Sequence, residues 1–316
     1  METSFSCILI VFIISGCTKS PPLQQLQETE PQEIIKTTSP PKIQPRSEKL
    51  VFKRDITMKH YFTFLDSVIS KHPELSNTGL GEYILIHHNP WILDSIRSFD
   101  YYVQKKKGNF IYDLSQQIIF HKGDSIILPD SIAFAPTIHR LKSAQIDLNI
   151  PEYRLRVIEE GDTILTIPVR VGRNSEEYLE LVGQLVNLRT PRGKGEIVKV
   201  LRAPIFYDLH TGAKYEKTKR DDGRYTIMPA IPSLEPSING IRYGYMLHAT
   251  TNINTLGKAY SHGCIGMSEA DAWSIYYNAP VGTKVNFRYD LNVVNHHRDT
   301  LFLKDIYHIQ SGAKSN

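Results

Sequence analysis

The stretch "AQIDLNIPEYRLRVIEEGDTILTIPVRVG", Ala144 to Gly172, alternates apolar and polar residues on both sides of Glu160-Gly161-Asp162. Ile146, Leu148, Leu155, Val157, Ile164, Ile167, Val169 and Val171 supply the apolar positions. A period of two broken by Gly-Asp predicts strands joined by a hairpin. The β pattern continues downstream. "LRTPRGKGEIVKVL" places a Pro-Arg-Gly turn before another strand, "DGRYTIMPAIPS" and "YGYMLHATTN" follow, and "VGTKVNFRY" closes the series. After Cys264, "MSEADAWSIYYNAP" reads as one short helix, with Ser268 as N-cap, an acidic first turn, and Ala272, Ile275 and Tyr276 on one face. A mainly β domain over residues 144–290 is expected, with residues 291–316 as a C-terminal extension.

Upstream the pattern differs. In "ITMKHYFTFLDSVISKHP", Met58, Tyr61, Phe62, Leu65, Val68 and Ile69 recur at three-and-four spacing, which predicts an amphipathic helix ending before Pro73. The remainder of residues 51–143 mixes short apolar runs with turn signals. Its close, Gly123-Asp124-Ser125-Ile126-Ile127-Leu128-Pro129, is similar to the last strand of LysM-like glycan-binding modules, although the rest of the segment lacks that spacing. A small α/β accessory module packing on the next domain is the expectation. Its histidines (His60, His72, His87, His88 and His121) show no compact ligand spacing with Cys or carboxylates, so no metal site is expected there.

The N-terminus carries an apolar run from Phe5 to Ile14, followed by Ser15-Gly16-Cys17. The run is too short to cross a hydrocarbon core of about 30 Å, and it suits the h-region of an export signal. Ile14-Ser15-Gly16-Cys17 resembles a bacterial lipobox, whose cysteine becomes the acylated first residue of a lipoprotein. No Lys or Arg precedes the run, and an ordinary secretory signal is the other reading. Residues 1–17 are thus expected to be a signal peptide with its lipidation site at Cys17. Residues 18–50, rich in Pro, Gln, Glu, Thr and Ser, are expected to be a disordered tether, because they bury too little apolar surface to offset their ordering entropy. The expected location is the periplasmic side of the cell envelope, held to a membrane by a lipid.

Composition sets the remaining bounds. The 316 residues are 41% hydrophobic and 22% charged, with a formal charge of +4. That charge is small and dispersed, and it gives no reason to expect nucleic acid as a partner. The chain has three cysteines: Cys7 in the signal, Cys17 at the lipobox, and Cys264. Cys264 therefore has no intramolecular disulfide partner in the mature body. It stands in "AYSHGCIGM" (Ala259–Met267), beside Ser261, His262 and Gly263 rather than aliphatic residues. A thiol near a helix N-terminus and imidazoles is expected to have its pKa lowered toward neutrality, and a nucleophile is favoured over a buried structural thiol. Two histidines are candidates for its base: His262, two residues before it, and His248, at the end of the "YGYML" strand. A zinc site from His248, His262 and Cys264 is the rival chemistry, but it lacks a fourth ligand.

His248, followed thirteen positions later by Ser261-His262-Gly263-Cys264, resembles the signature of YkuD-type L,D-transpeptidases. The resemblance spans about Ala144 to Tyr289 and includes the hairpin "IDLNIPEYRLRV" and Thr190-Pro191-Arg192-Gly193 as the family's Thr-Pro-x-Gly turn. It implies a β-sandwich-like catalytic domain behind a variable accessory region. It further implies Cys264 as nucleophile, His248 as general base, and the carbonyl of Ala249 as the orienter of that imidazole. His262 would line the site, and the N–H groups of Gly263 and Cys264 would form an oxyanion hole. Ser261, Tyr245, Lys258 and Arg242 are candidate substrate contacts. The implied partners are peptidoglycan stem peptides, with carbapenem-type β-lactams as covalent inhibitors, and no cofactor is implied. The reaction would form 3–3 cross-links, or, with water as acceptor, would be that of an L,D-carboxypeptidase. A catalytically silent wall-binding lipoprotein is the alternative of another class. One departure stands out: Gly266 occupies the position where many relatives carry Arg. Arg242, Lys258 or Arg224 are the sequence's candidates to replace that charge.

Overall fold

In the computed structural model, residues 47–294 and 297–309 are described; the signal segment, Cys17 and most of the tether lie outside the described residues. The eight-stranded sheet that holds the domain together runs, edge to edge, Ile265–Met267, Leu247–Ala249, Ser233–Ile238, Gly193–Leu201, Lys284–Arg288, Gln145–Asn149, Arg154–Glu159 and Asp162–Pro168. Two neighbouring pairs are parallel: Leu247–Ala249 with Ile265–Met267, and Lys284–Arg288 with Gln145–Asn149. The other pairs are antiparallel. Leu148, Leu155 and Val157 alternate inward and are fully buried, as the period of two requires. Each such side chain is worth about 1.5–3 kcal/mol of burial.

One expected core position is corrected. Ile164 is 47% exposed. The register shifts between Val157 and Ile158, so that Val157 faces Leu165 while Ile158 faces Thr163. Ile164 is the extra residue of this bulge on the edge strand, and it loses its place on the inner face.

The sheet curls until its ends meet. Just past Pro168, Arg170 forms an isolated antiparallel bridge with Gly266 on the opposite edge strand, exchanging bonds of 2.8 and 3.1 Å. Val171–Gly172 then pairs parallel with Ala259–Ser261. The closure is near that of a barrel.

The accessory region is more helical than its sequence pattern suggested. It contains α1 (Tyr61–Ile69), α2 (Pro73–Ser76), α3 (Gly81–His87), α4 (Pro90–Ser98), α5 (Tyr101–Lys106) and α6 (Ser131–Ser143), with short strand pairs between. Ser125–Pro129 pairs with Ser47–Val51, so residues 47–50, expected to be tether, are the first strand of the folded body. The reason is local: Leu50 lies opposite the fully buried Ile126.

The helix after Cys264, α7 (Glu269–Asn278), is capped by Ser268, whose Oγ accepts from the Asp271 N–H. Trp273, Ile275, Tyr276 and Tyr277 are buried on it, and one hydrophobic cluster runs from Phe52, Tyr61 and Leu65 through them to Ile146 and Leu148. Tyr276 and Tyr277 both donate to Glu82 of α3 at 2.8 Å, and Arg202 pairs with the same carboxylate. Among the described residues, no helix is long and apolar enough to cross a membrane.

Candidate active site

His248 and Cys264 are sixteen positions apart in sequence but lie on adjacent strands. Leu247–Ala249 and Ile265–Met267 run parallel with His248 opposite Gly266 and Leu247 opposite Ile265. Continuing that register puts Cys264 level with Met246, whose N–H points at the thiol, 3.4 Å from Sγ. Side chains two apart on a strand share a face, so His248 and Cys264 are diagonal neighbours on one face. The connection between them crosses over with a single 3-10 turn, Ile253–Thr255, and returns through Ala259–Ser261.

The imidazole has a defined tautomer. Nδ1 of His248 lies 2.7 Å from the carbonyl oxygen of Ala249; a carbonyl only accepts, so Nδ1 carries the proton and Nε2 keeps a lone pair. Burial first, and the nearby Arg170 cation second, hold the imidazole pKa down at about 4 against the opposing pull of the Ala249 carbonyl. At neutral pH His248 is an uncharged base. Cys264 departs from expectation. Burial pushes its thiol pKa up; the Met246 N–H and Arg170 pull the other way but do not win. The expectation of a thiol drawn toward neutrality is therefore corrected. The flanking imidazoles are uncharged, and α7 begins only beyond an intervening strand. The resting pair is thiol and imidazole, not thiolate and imidazolium.

The turn carrying the cysteine is over-determined. Ser261 Oγ donates to the Cys264 carbonyl at 2.6 Å and accepts from the Gly263 N–H at 3.2 Å. Gly263 has φ +111°, and a Cβ there would lie 2.4 Å from Cζ of Tyr245; no other residue fits on either count. Tyr245 donates in turn to the carbonyl of Asn187 at 2.5 Å. Beneath the turn, Thr190 of the Thr-Pro-Arg-Gly segment donates to the Gly263 carbonyl at 3.0 Å and accepts from the Gly172 N–H at 2.8 Å. Tyr307, from the C-terminal extension, accepts from the Thr190 N–H at 3.1 Å and donates to the Gly172 carbonyl at 2.7 Å.

A cavity of about 790 Å³ opens onto Cys264 and His262. One wall is the hairpin Glu176–Leu179 and Gln184–Asn187 with its apolar tip, including Val182 and Leu185. The facing wall holds Arg242, Tyr243 and Tyr245, and the floor holds Arg189, Arg192, Tyr307 and Ile309. Arg242 is held in a two-pronged pair with Glu235, at 2.9 and 2.6 Å. Arg189 and Arg192 instead lie over the rings of Tyr307 and Tyr289.

The structure thus brings Ser261, Tyr245, His262 and Gly263 to the cysteine and puts Arg242 on the cavity wall. Lys258 is exposed and outside the cavity lining. Arg224 lies elsewhere, over the ring of Phe110. Three residues escaped the sequence reading: Arg170, Thr190 in its bonding role, and Tyr307. Only Thr190 had a signal, the turn motif itself.

Among the described residues, one group of three donors approaches metal-binding distance: Glu177, His210 and His262, within 4.8 Å of one another. Arg173 already occupies it, paired with Glu177 and donating to His262 Nε2 at 3.0 Å. A cation in that place disfavours a metal ion. Among the described residues, His248, His262 and Cys264 are not gathered as a donor set.

This arrangement agrees with comparison to known proteins. The family model of the L,D-transpeptidase catalytic domain, YkuD, matches residues 143–287. The chain is 24% identical over 166 residues to the probable L,D-transpeptidase ErfK/SrfK of Escherichia coli, a match covering 52% of this chain and 48% of that protein. It therefore spans about half the length of that curated relative. Similar solved structures include an L,D-transpeptidase from Xylanimonas cellulosilytica (18% identity, 54% of this chain and 73% of that one, TM-score 0.34). Another is an L,D-transpeptidase from Mycobacterium tuberculosis (19% identity, 46% of this chain and 57% of that one, TM-score 0.31). Residues 143–287, a little under half of this chain, are thus similar to the YkuD family of L,D-transpeptidase catalytic domains.

Proposed function

We propose that the protein is a cysteine acyltransferase, an L,D-transpeptidase acting on peptidoglycan stem peptides. The observation that carries this reading is the uncharged His248, its Nδ1 tied to Ala249, beside Cys264 at the end of an open cavity. In the first step His248 Nε2 takes the thiol proton as Sγ attacks the carbonyl of the third stem residue. The tetrahedral oxyanion is received by backbone N–H groups. Gly263 N–H is already engaged by Ser261, so the Cys264 N–H is the donor this reading relies on most. The C–N bond breaks, the terminal D-alanine amine leaves with the proton from His248, and a thioester remains. An amine of a second stem attacks the thioester and gives its proton to His248. The C–S bond then breaks, a 3–3 amide is formed, and the thiol is restored.

Arg189 and Arg192 on the cavity floor suit the carboxylates that a stem peptide carries, and Tyr243 and Tyr245 stack at 6.0 Å along the facing wall. A carbapenem is the matching covalent probe, because its strained ring is an acyl donor for the same thiol. Lipidation at Cys17 and a tether would confine the enzyme to the envelope zone where an insoluble wall lies.

The test is to incubate the body from Ser47 onward with purified disaccharide-tetrapeptide and follow the products by mass spectrometry, beside Cys264→Ala. Loss of D-alanine with a 3–3 dimer, absent in the variant, is the expected result. Loss of D-alanine without dimer would replace transpeptidation by L,D-carboxypeptidation. No turnover, with no carbapenem adduct on Cys264, would leave the silent wall-binding lipoprotein.

A further inference from the structure

Gly266 lacks the side chain that would stand beside His248, and the space is filled. A Cβ built on Gly266 would meet Arg170 Nε at 2.6 Å, Cγ at 2.9 Å and Cδ at 3.1 Å. The Arg170 side chain therefore lies flat over Gly266, held there by the backbone bridge between the two residues. Its Nη1 donates to Thr255 Oγ1 at 3.2 Å. Its Nε is sealed from solvent and, among the described residues, has no hydrogen-bond partner. Such a donor is costly to bury.

We propose that Arg170 is a positioning residue of the Cys264–His248 pair: reaching over Gly266 from the bridge that closes the sheet, its guanidinium supplies the positive charge that favours the Cys264 thiolate and keeps a proton off His248. The inference rests on Cys264 being the nucleophile. The side chain is fixed by three features at once: the bridge, the empty face of Gly266 and Thr255. The charge so placed comes from a residue distant in sequence from the cysteine motif.

The other charged groups around the pair are largely compensated. Arg242 is paired with Glu235 on the strand beyond His248. On α7, Glu269 is paired with Arg220, and Asp271 accepts from Ser268. On the cysteine side Arg173 is paired with Glu177, next to His262 and His210. Asp221, from a turn, and Tyr260, from the strand Ala259–Ser261, lie within electrostatic reach of Arg170, and Asp221 Oδ2 already accepts from the Asn254 N–H at 2.9 Å. Tyr245 faces the thiol with an uncharged hydroxyl. Arg170 is the cation whose charge reaches both Cys264 and His248.

The experiment reads the thiol itself. The rate of Cys264 alkylation by iodoacetamide is measured against pH in the wild type, Arg170→Met, Arg170→Lys and the exchange Arg170→Ala/Gly266→Arg, with near-ultraviolet circular dichroism to verify the fold. Arg170→Met keeps the stem over Gly266 and removes the charge, so the thiolate midpoint moves to higher pH. For every pH step of one by which the midpoint rises, the rate at a fixed pH below it falls about tenfold. Arg170→Lys and the exchange recover the midpoint at least in part. A folded Arg170→Met with the wild-type midpoint would overturn the proposal and leave Arg170 a packing residue. Because alkylation does not depend on peptide transfer, failure of this inference is distinguishable from failure of the transpeptidase reading.

Discussion

Nδ1 of His248 and the carbonyl oxygen of its own neighbour Ala249 stand 2.7 Å apart. The bond uses backbone for a task that needs no particular side chain at 249. It predicts that Ala249→Gly or Ala249→Ser leaves turnover within a few-fold of wild type. His248→Gln removes the base and lowers acylation by about 10²–10⁴-fold. Pre-steady-state mass spectrometry of the carbapenem adduct measures both.

The pH dependence follows from the low pKa of the same imidazole. His248 loses its proton at about pH 4, so the base is available throughout the neutral range. As pH falls through about 4 the imidazole is protonated and kcat/KM drops; above that value the acid limb is flat. An acid limb near the ordinary histidine value of about 6.5 would mean that burial of His248 is relieved in solution. A kcat/KM profile from pH 3 to 9 decides between them.

Gly263 carries the sharpest steric constraint in the cysteine turn. Gly263→Ala places a methyl inside the Tyr245 ring and strains a φ of +111°. Acylation of Cys264 is expected to be abolished while the rest of the fold persists. Removing the ring as well, in Gly263→Ala/Tyr245→Ala, relieves the clash but not the dihedral, so recovery is partial. Adduct formation and the melting temperature, followed together, separate the two contributions.

The nearness of His248 to Cys264, the cysteine turn, the helix with its Ser268 cap and the strand series were all legible, because each depends on local residue types or on period-two patterning. Ile164 was not, since a bulge is a relation between two strands and shows only once they pair. The thiol pKa was misjudged because desolvation depends on everything around the thiol, whereas helix ends and imidazoles can be counted from sequence. Gly266 raised the question of a missing charge. Its answer, Arg170, is a bridge residue more than ninety positions earlier and is found only when the sheet closes. Tyr307 was hidden for the same reason: nothing in "LKDIYHIQ" announces part of the floor of the cavity beside Cys264.

Tyr307 ties the C-terminal extension to the cavity floor by accepting from the Thr190 N–H and donating to the Gly172 carbonyl, with its ring stacked on Tyr289 at 5.5 Å. Tyr307→Phe keeps the ring and leaves a buried N–H and C=O each short of a partner. The expected cost is about 1–3 kcal/mol, a fall in melting temperature of about 2–4 °C per kcal/mol for a body of this size. Calorimetry on the variant, beside a thiol alkylation assay, checks whether the loss spreads to Cys264.

The accessory region is held to α7 by charge as well as by apolar packing, and this coupling yields the last prediction. Glu269, in the first turn of α7, pairs with Arg220 at 2.5 Å and accepts from the Tyr101 N–H at 3.0 Å. Arg220 lies over the Tyr101 ring at 4.5 Å, and Asp100 accepts from the Ala270 N–H at 3.0 Å. Both members of the ion pair are only 4% exposed. Arg220→Met leaves a buried carboxylate without its cation, a change that costs about 3–5 kcal/mol. Burial already pushes the Glu269 pKa up, and Arg220 pulls it back, so the variant raises it further. A carboxyl whose folded pKa lies above its unfolded value binds a proton more readily when folded, and its destabilisation grows as pH rises. Arg220→Met is therefore weakest at neutral pH and regains stability as pH falls toward the carboxylate range, opposite to the usual acid destabilisation. Urea unfolding of wild type and variant from pH 4.5 to 7.5 tests this. A difference between them that does not change with pH would mean that Glu269 has the same protonation state in both and would overturn the prediction.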